Sequence, residues 1–366
     1  MNSSDRLIGV PESPEALTAA WLTDALRAGG EDLTVADLDV EAIGVGVGIM
    51  SLVFRLTPTY EGTKGPATLV VKIAPPWEQI RSIAAGYGFY RREVEIYRNL
   101  TSRLGLRPPK CYYGEFNPET QEFVVVIDDL GHLRSVDQLD GCSVADARLI
   151  ITSLAAHHAK WWGDSSLFDL PYIQTAATPP WPEFNDQGFK QSWPVILERA
   201  GDLVPERIVT VGERWSDVGP AIMRKMANHQ LTLIHGDVRL DNVFFHTDGG
   251  DPVTIIDWQI ANIGIGTFDL AYFLSQSLAV EERREHLDDL INLYHATLVE
   301  HGVSDYSMDE LWADFRMCAL FCLTYPVLAG AGELANDRAL HLVRTMLERS
   351  VRMIIDLDAD ELVGTL

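Results

Sequence analysis

The chain reads as an α+β protein, with a small sheet-rich part followed by a larger helical part. Three observations predict this. Strand-like apolar runs crowd the first 130 residues, as in TVADLDVEAIG, SLVFRLTP, ATLVVKIA and FVVVI. Beyond Leu130 the apolar residues recur at helical spacing. Within that helical part, two short apolar strands, Leu231 to Ile234 and Val253 to Ile256, each run into polar loop residues. The division is expected at residues 1–130 and 131–366, with the join near 128–135.

Taken in order, residues 13–29 form a first helix, with Ser13 as N-cap, Pro14 at its first position and Gly29-Gly30 closing it. Three strands follow, with turns at Gly44 to Gly48 and Glu61 to Pro66. A helix is expected from about 80 to 104, its buried stripe marked by Tyr90, Val94, Tyr97 and Leu104. KCYYGEF could pair with FVVVI at 123–127. ADARLIITSLAAHHAKWW is one long helix, followed by a Pro- and Trp-rich stretch from 163 to 194. Three or more amphipathic helices fill 279–358; in one, Leu287, Leu290, Ile291, Tyr294 and Leu298 share a face. Cys318 and Cys322, four apart in a helical pattern, read as small core residues.

At 366 residues, one to three domains are expected, and 47% apolar residues suffice for their cores. No stretch approaches about 18 uninterrupted apolar residues, so no membrane span is expected. The start, MNSSDRLIGVPESPEAL, lacks the basic and apolar regions of a signal peptide. Four cysteines without metal-type clustering suggest a reducing, cytoplasmic setting. The net charge of −24 argues against nucleic acid and anionic membrane as partners, since both need basic footprints.

The strand-end residues carry the chemistry. Asp237 with Asn242 five residues later, and Asp257 after the second strand, suit a divalent cation and a hydroxyl group. That pattern points to phosphoryl transfer from a nucleotide. Gly44, Gly46 and Gly48 fit either a phosphate-approaching loop or a hairpin turn. Lys72 is a single charge in an apolar strand, an outward-facing edge residue unless something pairs with it. Glu93 lies beside the next helix's buried stripe and can supply that pairing, whereas Glu95 sits with Arg91, Arg92, Arg98 and Asn99 on the solvated face. A Lys–Glu pair would hold the ammonium for phosphates. Asp128 and Asp129 mark the join, where adenine is usually read by backbone groups; turn and helix-entry chemistry also accounts for them. His235, directly after a strand, reads as a buried support for the loop rather than a base. Arg239 could meet phosphate or neutralise a neighbouring carboxylate.

HGDVRLDN followed by IIDWQ resembles the catalytic and metal motifs of the aminoglycoside phosphotransferase and choline kinase superfamily. IDWQ with GIGTFDLAYFL, and HHAKWW upstream, are most similar to the ecdysteroid-kinase-like branch and its bacterial relatives. The resemblance implies a two-lobed protein-kinase-like fold with an antiparallel-sheet N-lobe and a mainly helical C-lobe. It implies that Asp237 meets the acceptor hydroxyl, and that Asn242 and Asp257 bind Mg²⁺. Lys72, held by Glu93, would meet the nucleotide phosphates, with the glycine loop and Asp128 on the nucleotide side. Asp269 would brace the catalytic loop, although a helix N-terminal charge explains it equally. The implied co-substrate is ATP, with GTP left open, and the partners are a nucleotide and a small-molecule acceptor.

Asp269 follows Asp257 by only twelve positions and no Ala-Pro-Glu follows, so there is no room for the segment that seats a peptide. A small acceptor is expected over a protein one. A nucleotide-binding pseudokinase is the remaining alternative. Trp161, Trp162, Trp181 and Trp193 suit either an acceptor wall or a helical core.

Overall fold

The computed structural model describes residues 7–44, 50–62, 64–332 and 336–366; Gly46 and Gly48 lie outside them. The chain forms two compact units. The first takes in the described residues up to Leu104, with Pro108–Leu133 and Ile256–Gln259. The second comprises Gly105–Arg107, Arg134–Ile255 and Ile260–Leu366.

The first unit is built on an antiparallel sheet of β1 (Val35–Ile43), β2 (Leu52–Tyr60), β3 (Leu69–Ile73), β4 (Cys111–Asn117) and β5 (Glu122–Asp128). Their order is β1-β2-β3-β5-β4, which makes β3 central. Side chains alternate between faces along each strand. Leu69, Val71, Ile73, Val124 and Val126 therefore share one face, and they close a core with Leu22, Ala25 and Leu26 of α1 (Ala19–Ala28). The opposite face receives α3 (Phe89–Asn99), where Tyr90 stacks on Phe123 with ring centroids 4.3 Å apart.

Two expected helices are shorter than their apolar patterns. Ser13 makes no cap; Pro14–Ala16 is a 3₁₀ turn, and α1 begins after Thr18, whose hydroxyl accepts from Trp21 N. The helix expected over 80–104 is two helices, α2 (Glu78–Tyr87) and α3, divided at Gly88. Gly88 has φ +66°, a left-handed conformation that glycine alone takes without steric cost. The chain turns there while the apolar period continues on both sides.

The second unit contains α4 (Val144–Lys160), α5 (Trp181–Ala200), α6 (Glu206–Glu213) and α7 (Trp215–Met226), then four short strands. These are β6 (Leu231–Ile234), β7 (Val243–Phe245), β8 (Val253–Ile255) and β9 (Asn262–Ile265). The two strands legible in the sequence do not pair with each other: β6 pairs with β9 and β8 with β7. Their partners are only three and four residues long, too short to show a period. Five further helices follow: α8 (Thr267–Ser277), α9 (Val280–Glu300), α10 (Met308–Phe321), α11 (Thr324–Ala331) and α12 (Asp337–Asp356). Every residue of α8 is buried, which makes it the axis of this unit. Cys318 and Cys322 are fully buried free thiols in the core. The run Met308–Ala331 is long and apolar enough to cross a bilayer by composition, but 72% of its most apolar window is buried within the protein.

Candidate active site

Lys72 lies on the central strand, not an edge, in register with Val53 on one side and Val125 on the other. Alternation turns it to the α3 face, where Nζ lies 2.6 Å from Glu93 Oε1 and 3.3 Å from Asp257 Oδ1. Burial alone would push the ammonium toward neutrality, but Asp257 and Glu93 outweigh it and hold Lys72 cationic, above its ordinary value. One buried cation thus faces two carboxylates. Glu93 Oε2 and Asp257 Oδ1 are buried without a hydrogen-bond donor among the described residues. Burial pushes the Glu93 carboxyl up to about 7 against the pull of Lys72, and the cluster has oxygen lone pairs in excess of donors.

Three side chains of α3 reach the segment that carries Asp257. Glu93 meets it through Lys72, and Tyr97 Oη accepts from Asp257 N at 3.3 Å. Arg92 donates to Gln259 O at 2.7 Å and to Tyr87 O at 2.9 Å. Arg92 is therefore not on the solvated face. It is 1% exposed, and burial pushes its guanidinium down to about 9. The helical wheel misplaced it because α3 is covered by this segment as well as by the sheet. Asp257 itself has φ +70°, a left-handed conformation that costs a non-glycine residue about 1–3 kcal/mol and that clusters at functional sites.

Asp128 sits at the end of β5 with both carboxylate oxygens engaged, Oδ1 by Tyr112 Oη and Oδ2 by Lys110 N. Asp129 pairs with Arg55 at 2.7 Å and caps Gly131 N. Gly44 follows β1 with φ +66°, and no atom of the described residues lies within 4 Å of where a side chain would begin.

In the second unit, β6 delivers His235-Gly236-Asp237 into a loop held from several directions. Asp269, fully buried on α8, accepts from His235 N at 2.7 Å and Gly236 N at 2.8 Å. His158 Nε2 lies 3.1 Å from the same carboxylate, with Nδ1 2.8 Å from Tyr294 Oη. Burial would raise the Asp269 carboxyl, but the bond and charge of His158 with the loop amides hold it below its ordinary value. Gly236 has φ +87°, and a Cβ there would stand 2.8 Å from Ile260 O, so only glycine fits. Tyr325 donates to Gly236 O at 2.8 Å, and Gln138 Oε1 accepts from Leu240 N at 2.7 Å.

The Asp237 carboxylate, 18% exposed, is the loop's reactive-looking group. Its Oδ1 accepts from Tyr272 Oη at 2.7 Å. Asn242 Nδ2 donates to Asp237 O at 3.0 Å and lies 3.3 Å from Oδ2. Both neighbours are acceptors, so the Asn242 amide nitrogen must face them and its oxygen turns away. Arg239 lies 3.5 Å from Asp237 and 3.6 Å from Asp241, a neutralising position between carboxylates. His235 is fully buried, and its Nδ1 accepts from Asp237 N at 3.2 Å.

The structure thus gathers Lys72, Glu93 and Asp257 in one unit, and His235, Asp237, Asn242 and Asp269 in the other. Arg92, Gln138, His158, Tyr272 and Tyr325 support these groups without having been singled out as site residues. HHAKWW, which contains His158, and GIGTFDLAYFL, which contains Tyr272, were the usable signals; Tyr325 looks like an ordinary aromatic in an apolar helix. Trp161 and Trp193 are core residues, the latter stacked on Phe189 at 5.4 Å. Trp162 is tied to Asp305 through its indole N–H.

The model of the Ecdysteroid kinase-like family matches residues 46–303, more than two-thirds of the chain. A kinase-like protein of Caenorhabditis elegans is 23% identical over 293 residues, 73% of this chain and 75% of that one. Acyl-CoA dehydrogenase family members match at most 23% of this chain and 11% of their own length. Among solved structures, the ethanolamine kinase of Plasmodium vivax superposes with a TM-score of 0.55 at 15% identity, covering 93% of this chain and 89% of that one. A Ralstonia eutropha protein assigned as an aminoglycoside phosphotransferase gives 0.50 at 16% identity, covering 87% and 93%. These likenesses show a kinase-like fold of the aminoglycoside phosphotransferase and choline kinase type. With that family's model matched over residues 46–303, the chain belongs to the ecdysteroid kinase-like family.

Proposed function

We propose that this protein moves the γ-phosphate of ATP to a hydroxyl of a small molecule. The observation that carries the reading is the buried Lys72 ammonium held between Glu93 and Asp257. A desolvated cation so positioned has a purpose in meeting phosphate oxygens, and little as a stabilising device, since buried ion pairs rarely offset their desolvation.

Two residues, one in each unit, have the chemistry that Mg²⁺ takes. Asp257 Oδ1 lacks a hydrogen-bond donor among the described residues, and Asn242 has its carboxamide oxygen turned from its own partners. Each offers the hard oxygen that this cation takes, the rest of its shell being water and phosphate. When bound, Mg²⁺ offsets charge on the transferring phosphate. The chain's own residues do the remaining work. Lys72 orients the nucleotide phosphates. Asp237 aligns the acceptor hydroxyl and takes its proton as the new O–P bond forms and the bond from Pγ to the ADP oxygen breaks. Asp269, through two amides, keeps the loop in the shape that presents Asp237.

A screen of Mg-ATP consumption against aminoglycosides, macrolides, sterols, choline-like amines and sugars tests the reading. Asp237→Ala should lower turnover by ~10²–10⁴-fold, the usual range for losing a positioned base. Turnover near that of the wild type in this variant would remove Asp237 from the chemistry. Tight nucleotide binding without turnover on any acceptor would instead mark a regulatory module.

A further inference from the structure

Asp237 carries two oxygens, and among the described residues only one of them is held by a hydrogen bond from outside its own loop. That bond comes from Tyr272 Oη, 2.7 Å from Oδ1. Tyr272 lies on α8, one turn beyond Asp269, so the same helix that fixes the loop backbone also grips its carboxylate. The phenol is fully buried, and its ring meets that of Tyr325 with centroids 4.2 Å apart. Tyr325 in turn donates to the carbonyl of Gly236, the residue before Asp237. Two tyrosines from α8 and α11, their rings in tilted contact with an interplanar angle of 42°, therefore hold consecutive residues of the loop, one by its backbone and one by its side chain.

We propose that Tyr272 is the positioning residue of this reaction: it holds Oδ1 of Asp237, so that Oδ2 meets the acceptor hydroxyl. This rests on the phosphotransfer reading above. The chemistry of the pair supports a donor role alone. Burial, and then the charge of Asp237, hold the Tyr272 phenol well above its ordinary value, so it keeps its proton across the working range. A carboxylate with a free χ2 would divide its time between orientations. A hydrogen bond at one oxygen removes that freedom, and near-attack geometry is where such ordering acts on rate. The local neighbours of Oδ2 are Asn242 Nδ2 at 3.3 Å and Arg239 Nε at 3.5 Å, both longer than the tyrosine contact. With both in place, 18% of the Asp237 side chain remains exposed.

Tyr272→Phe removes the hydroxyl and keeps the ring against Tyr325, so the fold is preserved, as the melting midpoint should confirm. Steady-state turnover of Mg-ATP is measured for wild type, Tyr272→Phe, Asp237→Asn and the double variant, with the screened acceptor or with water in its place. Tyr272→Phe should lower kcat by about 10–100-fold, the weight of one hydrogen bond to a charged group. KM for ATP should stay within about twofold, because the lost interaction is not with the nucleotide. The double variant should be no slower than Asp237→Asn, since Tyr272 acts only through that carboxylate. A wild-type kcat in Tyr272→Phe overturns the inference. So does a further loss in the double variant equal to the loss in the single one, which would make Tyr272 independent of Asp237. Full turnover in Asp237→Asn, by contrast, would remove the reading on which the inference rests.

Discussion

Asp269→Asn isolates the brace under the loop at 235–242. The wild-type carboxylate accepts from His235 N at 2.7 Å and Gly236 N at 2.8 Å, one on each oxygen, and meets His158 Nε2 at 3.1 Å. An asparagine keeps one acceptor oxygen. Its amide group would then face a backbone N–H, so one loop amide loses its partner and gains a repulsive neighbour. His158 would lose its charged partner as well. Breaking a fully buried charged contact of this kind costs ~3–5 kcal/mol. At ~2–4 °C per kcal/mol the melting midpoint should fall by roughly 6–20 °C, toward the low end for a chain of this length. Because the chain has two units, a single melt does not report one equilibrium, so amide exchange at His235 and Gly236 is the sharper assay. Both amides should exchange much faster in the variant. Acid supplies an independent check. The folded carboxyl lies below its unfolded value of 3.8, so its contribution is full above that pH and is lost as pH falls through the folded value. The stability gap between wild type and variant should therefore narrow on acidification below 3.8. Unchanged protection of the two amides, or a gap that ignores acid, would refute the brace.

Two other perturbations separate chemistry from fold. Glu93→Gln leaves Lys72 with Asp257 and a neutral amide in place of a carboxyl that burial pushes up to about 7, so the comparison is made above that pH, where the wild-type partner is charged. Its kcat/KM for Mg-ATP should fall about tenfold, the difference between charged and neutral hydrogen bonds, and an unchanged value would dissociate the pair from nucleotide use. Gly88→Ala, at φ +66°, should cost about 1–2 kcal/mol in urea denaturation through backbone strain alone. The nearest atom to its Cβ would be Arg92 Nη2 at an ordinary 3.9 Å, so a much larger loss would mean that the junction of α2 and α3 resists change for another reason.

What was legible in the sequence was whatever a single periodic face or a strand end can report. Glu93 was separable from Glu95 because it flanks Val94 and Tyr97 on a buried stripe. The same reasoning misplaced Arg92, because α3 is covered on more than one side and a helix buried over a wide arc hides charges inside it. Lys72 invited an edge-strand reading only until its strand order was known, and strand order is a long-range property that β3 does not encode by itself. Asp237, Asn242 and Asp257 were visible as polar residues after apolar runs. The groups that hold them were not. Tyr272, Tyr325 and Gln138 lie between 35 and 102 positions away from their partners in the loop, and nothing in local spacing connects them. The left-handed backbone of Asp257 was hidden too, since aspartate tolerates it without the signature of a glycine.

The segment from Asp257 to Asp269 bears on how the proposed phosphotransfer could be controlled. In protein kinases the corresponding stretch is long, and its phosphorylation orders the site. Here nearly all of the stretch is committed to structure. Ile263 N donates to Gln174 O, residues 262–265 pair in register with β6, and Asp269 closes the run on two loop amides. The only hydroxyl within it is that of Thr267, which is 1% exposed and 2.7 Å from Tyr306 Oη. A phosphate there would have to displace that bond and enter a helix buried along its whole length, at a cost no new salt bridge would offset. A loop stapled in this way is already formed in the protein alone. Under the proposed phosphotransfer, turnover should follow the supply of nucleotide and acceptor rather than the ordering of this segment.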